Sequence, residues 1–483
     1  SSSEANPQEL LLQEISILSV YTQLGQTCIK NSHKEYFTFD DQENTCSPKA
    51  ALNLRDILEG EYKGLLLEWC HIASQQQLKA PSECLPDLMD YAARHPYKER
   101  YMIQNVIGQR GLWLAEQNPA WKHLFHKEQL DEETWHTGTR LERLDYLSKL
   151  RADDPQKARH LVEESWQQES PEDRAAFVEK FSVGLSLEDE TFLEACLDDK
   201  RKPVRQTAAT LLSCLSDSKL CHRMTERILQ LMTYNPGKKG LLKSKKPTIE
   251  VGLPDINDKA LLRDGADPRK SGKLGQKAIA LANIIASVPL NVWNQVEPDI
   301  ESLLTAVLSS DFSASFSLGL SNAAVRQHDQ KWASIILKNY QIFQEKAQPA
   351  GRITIDLRGL MTCLTPEQRE RVITEFANKN SKHLELIYEF LLSCDHSWSR
   401  EFSTLAFKIL RQHFIKNLGN YQLRRPMIET FALRLSPTVS EDASKGWPTN
   451  SNRFTSGNEE MVHQITSILQ FRQTMLKELC SGV

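Results

Sequence analysis

The stretch LDDKRKPVRQTAATLLSCL, residues 197–215, predicts a tight turn followed by a short helix with one buried face. The charged run Asp198 to Lys202 interrupts the apolar pattern and is typical of a solvent-exposed turn. Pro203 suits the first turn of a helix, where its missing N–H removes no hydrogen bond. Apolar residues then recur three or four positions apart, which places them on one face of a helix. They are Val204, Ala208, Leu211, Leu212 and Leu215.

Similar helix starts recur on both sides of this stretch, between residues 139 and 234. Thr139 and Glu142 form a capping box, in which each side chain pairs with a free N–H group at the helix start. Further starts are expected at Asp154-Pro155, at Ser170-Pro171, and at Ser186 with Asp189. Short helices joined by tight turns form antiparallel pairs, so we expect a stack of such pairs.

Residues 197–215 resemble a HEAT repeat. In that family an Asp lies in the turn and a Val-Arg pair begins the second helix, as Asp199 and Val204-Arg205 do here. A weaker copy occurs at Asp153-Asp154-Pro155 with Arg159, about 46 residues before Arg205, within the period of HEAT and armadillo units. The resemblance implies an all-α chain that forms a HEAT-like α-solenoid of short antiparallel helix hairpins.

Local composition divides the chain of 483 residues into five parts. We expect an N-terminal helical region at 1–135, HEAT-like repeats at 136–234, and a long basic loop rich in Gly, Pro and Lys at 235–276. A C-terminal helical region at 277–440 and a polar loop with a terminal helix at 441–483 complete the prediction. Thr248 to Val251 could form a strand, but no second strand is expected to pair with it.

The bulk composition is that of an ordinary globular protein, with 40% hydrophobic and 25% charged residues. The formal net charge of −4 gives no overall attraction to nucleic acid or to an anionic membrane. No apolar segment approaches the roughly 20 residues that a membrane-spanning helix needs, and no signal peptide is expected. Ten scattered cysteines without a Cys-x-x-Cys pair favour reduced thiols, so we expect a cytoplasmic protein.

No residue pattern points to a reaction. Zinc-ligand spacing, the His-Glu-x-x-His motif and the Gly-x-Ser-x-Gly motif are all missing from the sequence, and no cofactor or metal is expected. Ser271-Gly272-Lys273 lacks the first Gly and the Ser or Thr of a phosphate-binding loop. An enzyme with a site assembled from distant residues stays open as an alternative, for example around Cys70, His71 and Cys84.

The lysine cluster in the middle of the chain is the best candidate for a functional surface. Residues 237–247 contain Lys238, Lys239, Lys243, Lys245 and Lys246. A solvated loop would explain them, and so would a docking site for an acidic protein face or for nucleic acid. The cluster has no interleaved aromatic residues, which single-stranded nucleic acid would favour.

Several longer stretches resemble an uncharacterised bacterial family with HEAT-like repeats. They are GQRGLWLAEQNPAW (108–121), RLDYLSKLRADDPQKARHLVEESW (143–166), DRAAFVEKFSVGLSLEDETFLEACLDDKRKPVRQTAATLLS (173–213), LLRDGADPRKSGKLGQKAIALANIIASVPLNVW (261–293) and LLSCDHSWSREFS (391–403). Genes of this family tend to lie near those of MoxR-type AAA+ ATPases, von Willebrand A proteins and SWIM zinc-finger proteins. The resemblance implies an adaptor in an ATPase system.

The sequence therefore predicts a non-catalytic scaffold or adaptor that binds a protein partner. The expected partner is an AAA+ ATPase or a von Willebrand A protein, and no membrane is involved. The expected contact residues are Lys238, Lys239, Lys243, Lys245 and Lys246, with Arg201, Lys202 and Arg205. Nucleic-acid binding through the same lysines is the first alternative, and an enzyme with an unrecognised site is the second.

Overall fold

The computed structural model describes residue 15 and residues 44–95, 97–122, 124–125, 132–237, 245–266, 274–347, 355–416, 431–443, 445 and 456–480. Most of these residues lie in α-helices, which confirms the predicted all-α class. The helix predicted at 8–24 falls almost wholly outside the described residues.

Within the described residues from 44 to 122, the N-terminal part contains four helices and two short 3₁₀ turns, at Lys63–Leu65 and Ser82–Cys84. The helices are α1 (Pro48–Glu59), α2 (Leu66–Gln75), α3 (Leu85–Arg94) and α4 (Tyr97–Gln117). The sequence predicts one helix over 50–73, and this is wrong because Gly60 ends α1 in the left-handed conformation, with φ 107°. Gly108, with φ 63°, interrupts α4 and divides it into two helical segments.

The central part begins with short helices whose predicted starts are mostly confirmed. They are α5 (Glu132–Thr137), α6 (Arg140–Asp153), α7 (Pro155–Ser165), α8 (Pro171–Lys180), α9 (Glu190–Cys196), α10 (Lys202–Leu212) and α11 (Lys219–Leu231). The Thr139 capping box is present, with the Thr139 N–H donating to Glu142 Oε2 over 2.7 Å. Asp154 and Ser170 cap α7 and α8. A 3₁₀ turn, Leu187–Asp189, precedes α9.

Two strands, β1 (Met232–Asn235) and β2 (Thr248–Val251), follow α11 and pair in an antiparallel hairpin. The prediction that β2 would lack a partner was wrong. Its partner, β1, directly follows α11, and the sequence alone indicates that the helix continues through it. Met232 and Tyr234 alternate with polar residues, but this run is too short to be recognised as a strand.

The C-terminal part is again helical. It contains α12 (Lys259–Arg263), α13 (Gln276–Ala286), α14 (Leu290–Val296), α15 (Ile300–Leu308), α16 (Ser313–Arg326), α17 (Gln330–Lys338), α18 (Tyr340–Ala347), α19 (Leu357–Thr362), α20 (Pro366–Lys379), α21 (Leu384–Leu392), α22 (Arg400–Lys416), α23 (Ser440–Ala443) and α24 (Ser456–Cys480), with a 3₁₀ turn at Pro437–Val439. No single described helix is long and apolar enough to cross a membrane; α13 and α14 pass that test only as a pair bent by 98°.

Helix α16 is the central packing element of this part, and almost all of its side chains are buried. It packs against α13, and a methyl group added at Gly319 would lie 2.5 Å from Ile285 Cβ. Glycine is needed here because it lets the two helix backbones approach closely.

The last helix joins two separate apolar cores. One core spans residues 135–469, and the other contains α1 to α4 together with Met475 and Leu479 of α24. Ile465 and Leu469, at the start of the same helix, belong to the first core. Helix α24 therefore holds the N-terminal helices against the rest of the chain.

Arg472 lies at this junction and is 1% exposed. Its Nε and Nη2 donate to the two carboxylate oxygens of Glu68 on α2, over 2.8 and 2.7 Å. Its Nη1 donates to the carbonyl oxygens of Ala432 and Leu435, over 2.8 and 2.6 Å. One guanidinium thus binds a carboxylate on one edge and two main-chain carbonyl groups on the other. We call this arrangement an arginine clamp.

Arg151 forms the second fully buried clamp, in the central part. It donates to both carboxylate oxygens of Asp189, over 2.9 and 2.8 Å, and both side chains are 0% exposed. It also donates to the carbonyl oxygens of Val183 and Gly184, which follow α8, and it lies over the Phe181 ring. Arg159 donates to the same aspartate over 3.0 Å. Asp189 was expected only as a helix cap, so its place in the core was missed.

We predict that Asp189→Asn destabilises the protein by about 3–5 kcal/mol, the usual cost of leaving one partner of a buried ion pair uncompensated. Arg151 and Arg159 would keep their charges in an apolar setting. Urea unfolding followed by circular dichroism measures the change. Asp153→Asn, at an exposed position, is the control and should change stability by less than about 0.5 kcal/mol. Equal midpoints for the two variants would contradict this account of the clamp.

Candidate functional site

Two residues of the predicted lysine surface, Lys245 and Lys246, lie in the connection between β1 and β2. Both are exposed, and Pro247 separates them from β2. Gly237 lies opposite them, since a methyl group added there would be 2.4 Å from the Lys245 carbonyl oxygen. Lys238, Lys239 and Lys243 lie outside the described residues. We call the segment 237–247 the lysine loop.

The hairpin that carries the lysine loop is anchored in the main core. Met232 and Ile249 are buried, and β2 packs against α15. The Gly252 N–H donates to the Leu231 carbonyl oxygen over 2.7 Å, which joins the far end of β2 to α11. Burial and the neighbouring Glu297 carboxylate raise the pKa of Tyr234 to about 12. The two strands therefore hold the two ends of the loop at fixed positions.

The chain that returns from the hairpin is fixed by a network of three arginines and three carboxylates. Arg263 on α12 donates from Nε and Nη2 to Asp198, over 2.6 and 2.9 Å. Arg223 on α11 donates from the same two atoms to Asp264, over 3.1 and 2.7 Å, and from Nη2 to Glu194. Arg227, one helical turn further along α11, also pairs with Asp264.

This network neutralises its own charge. Burial alone would raise the pKa of Asp264, but the hydrogen bonds from Arg223 and Arg227 outweigh it and hold that pKa below its ordinary value. The hydrogen bond from Arg263 lowers the pKa of Asp198 in the same way. The network contains three carboxylates and three guanidinium groups, so its formal charges balance.

The other three predicted contact residues lie at the turn between α9 and α10. Arg201 is exposed, and its backbone N–H donates to Asp199 Oδ1 over 2.7 Å. Lys202 is half-buried at the start of α10. Arg205 donates to the Asp199 carbonyl oxygen over 2.7 Å, so it holds the turn, as the HEAT resemblance implies. The Asp199 carboxylate pairs with Arg174 on α8 over 2.8 Å.

The lysine loop and this turn are linked through the returning chain. Arg263 follows the loop in sequence and binds Asp198, which lies three residues before Arg201. Among the residues that the structure describes, no hydrogen bond or ion pair joins Arg201 or Arg205 to Lys245 or Lys246. The described members of the predicted set are therefore not joined into one cluster.

The suggested site around Cys70, His71 and Cys84 is not assembled. Cys70 is fully buried, and burial raises the pKa of its thiol to about 12. His71 is exposed, and its Nε2 contacts the side chain of Gln75. Within the described ranges, no group of three or more His, Cys, Asp or Glu side chains is arranged to hold a metal ion.

One local arrangement has the order of a nucleophile, a base and an orienting carboxylate. Cys394 Sγ lies 3.6 Å from His396 Nδ1, and His396 Nε2 lies 3.3 Å from Glu370 Oε1. The thiol is 0% exposed, and burial raises its pKa to about 12, which opposes formation of the reactive thiolate. Glu370 also accepts hydrogen bonds from the Ser399 N–H and hydroxyl, over 2.8 and 2.6 Å. The geometry suits a connection between α20 and the start of α22.

Neither polar grouping, the arginine network or the Cys394 arrangement, is predicted from the sequence. Arg223 and Arg227 lie four residues apart, so they share one face of α11, and this spacing could have been noticed. Their carboxylate partners are about 30 to 40 residues away along the chain, at separations of 29, 37 and 41, and no local pattern connects them.

The chain belongs to DUF5691, a family of unknown function whose model matches residues 1–479. Neither the curated proteins nor the solved structures include a significant match to the chain.

We predict that Asp264→Asn lowers the free energy of unfolding by about 1.5–3 kcal/mol at pH 7, the usual value for hydrogen bonds to a charged group. Because the folded-state pKa is lowered, this stability is present above the unfolded-state pKa of about 3.9 and is lost as pH falls below it. Urea unfolding of both proteins from pH 7 to pH 3 should show the difference shrinking below about pH 4.

Asp311→Asn, at an exposed position, serves as the control and should follow the wild type at every pH. A difference between wild type and Asp264→Asn that stays constant down to pH 3 would contradict the assignment of Asp264 as a charged partner of the arginines.

Proposed function

We propose that this DUF5691 protein is a non-catalytic scaffold or adaptor, built as a HEAT-like α-solenoid, that binds an acidic protein partner through the lysine loop. In this proposal the helices provide the support and the loop provides the contact. The proposed location is the cytoplasm.

The contacts between successive helices support the solenoid part of the proposal. Helix α6 packs against α7 and α8, α8 packs against α10, and α9 packs against α10, so the helices from α6 to α10 contact near neighbours in the chain. At the turns, Asp199 binds Arg174 of the preceding helix pair, and Asp189 binds Arg151 and Arg159. Interactions between adjacent repeats are what hold a solenoid together.

One observation carries the functional part, and it concerns the two described lysines of the lysine loop. Lys245 and Lys246 are exposed, and neither has an ion-pair partner among the described residues. The carboxylates behind the hairpin, Glu194, Asp198 and Asp264, are already paired with arginines. Unpaired lysines on a braced hairpin are available to an acidic surface, and opposite charges increase the rate of association.

The proposed partner class follows from the bacterial family described above. A MoxR-type AAA+ ATPase or a von Willebrand A protein is the first candidate. Nucleic acid is the alternative occupant of the same lysines, and Tyr234, the aromatic residue of the hairpin strands, is only partly exposed, which disfavours base stacking. The enzyme alternative, with an unrecognised site, stays a prediction. The Cys394 arrangement does not favour it, because that thiol is 0% exposed.

The test is a pull-down from native lysate with wild type and with a variant that carries Glu at all five lysines. The variant is Lys238→Glu, Lys239→Glu, Lys243→Glu, Lys245→Glu and Lys246→Glu. Its matched control reverses five exposed lysines elsewhere: Lys277, Lys331, Lys379, Lys382 and Lys408. Each pull-down is performed with and without nuclease, and captured proteins are identified by mass spectrometry.

We expect wild type and the control to capture an AAA+ ATPase or a von Willebrand A protein that survives nuclease, and the loop variant to lose it. Capture that disappears with nuclease would favour the nucleic-acid alternative. If wild type and the loop variant capture the same partners, the lysine loop is not the contact surface.

A further inference from the structure

Arg326, the last residue of α16, lies where three helices end. Its Nη1 donates to Ser213 Oγ over 3.2 Å, and to the Ala286 carbonyl oxygen and Ser287 Oγ over 3.5 Å. Ser213 ends α10 and Ser287 ends α13. The Ser213 hydroxyl donates in turn to the Thr210 carbonyl oxygen over 2.6 Å, which leaves its lone pairs for Arg326.

The other edge of this guanidinium, Nε and Nη2, has no partner among the described residues. No carboxylate within those residues forms an ion pair with Arg326, and burial lowers the pKa of its guanidinium. The Arg326 side chain is half-buried. Its Nε and Nη2 atoms are not sealed from solvent. The unpartnered edge therefore reaches solvent, so a small anion can approach it.

Three other arginines of this chain show what that edge binds. Arg472, Arg223 and Arg263 each use Nε and Nη2 together to hold both oxygens of one carboxylate. Arg472 is the nearest parallel, because its Nη1 also donates to carbonyl oxygens, at Ala432 and Leu435. Carbonyl groups on Nη1 therefore do not prevent an anion from binding to the opposite edge.

We propose that Arg326, supported by Ser213 and Ser287, binds a small oxyanion, either phosphate or a carboxylate, on its Nε–Nη2 edge. Two N–H groups that point the same way match two oxygens of such an anion. The serine residues hold the guanidinium in place through Nη1, so the second edge keeps its orientation. This site is separate from the lysine loop and does not depend on the proposed adaptor function.

The test measures binding of inorganic phosphate and of acetate to the full chain by isothermal titration calorimetry, at constant ionic strength set with chloride. Wild type should bind at least one of the two with one saturable site. Arg326→Gln should weaken binding at least tenfold, since a charge-assisted bidentate pair is lost. Arg326→Lys keeps the charge but loses the paired N–H groups, and it should also weaken binding. Arg371→Gln, at an exposed position on α20, is the control and should bind as wild type does.

A second readout uses Cys214, which lies beside Ser213, is half-buried and interacts electrostatically with Arg326. Phosphate or acetate should slow its alkylation by iodoacetamide several-fold in wild type and not in Arg326→Lys, while the exposed Cys480 stays equally reactive. This readout also serves if Arg326→Gln does not fold. The proposal is overturned if neither anion binds wild type, or if Arg326→Lys binds as tightly and protects Cys214 as well.

Discussion

An α-helix leaves its last carbonyl groups without a partner inside the helix, and a chain of many short helices multiplies that cost. Here arginines take up those groups. Arg151 binds carbonyls after α8, Arg369 binds those of Met361 and Leu364 at the end of α19, and Arg434 binds those of Leu391 and Leu392 at the end of α21. Arg472 does the same at the junction of the two cores. The guanidinium suits this role because its five N–H groups can bind carbonyls and a carboxylate at once.

Helix starts could be predicted from the sequence because their signals are local. Thr139 with Glu142, and Ser170 with Pro171, place the cap and the capped N–H within four residues. Helix ends held by arginine could not be predicted, because Arg472 and Glu68 are 404 positions apart. Helix α16 could not be predicted from amphipathic spacing for a different reason: ten of its 14 residues are buried, so its Ser, Ala and Gly residues show no alternation of polar and apolar positions.

The candidate surface could be predicted only in part. The number of lysines in 237–247 is visible in the sequence, and so is the spacing of Asp199 and Arg205 across the turn. The strand pair that braces the loop was not visible, because four-residue strands carry a weak pattern. The neutral arginine network behind it depends on contacts between α9, α11 and α12, so no single segment reveals it. Arg326 resembles the clamps because its Nη1 donates to groups at two helix ends. It differs because its Nε–Nη2 edge has no carboxylate partner among the described residues, and this difference motivates the proposed anion site.

The most direct test of the clamp account is amide hydrogen exchange in Arg472→Lys, compared with wild type. Lysine keeps the positive charge and much of the packing volume, but it cannot hold Glu68 and two carbonyl groups at the same time. The account predicts faster exchange in α2 and in the second half of α24, with α6 to α9 unchanged. Unchanged exchange in α2 and α24 would show that the apolar packing of Met475 and Leu479 is sufficient, and would contradict the central role given to the arginine clamps.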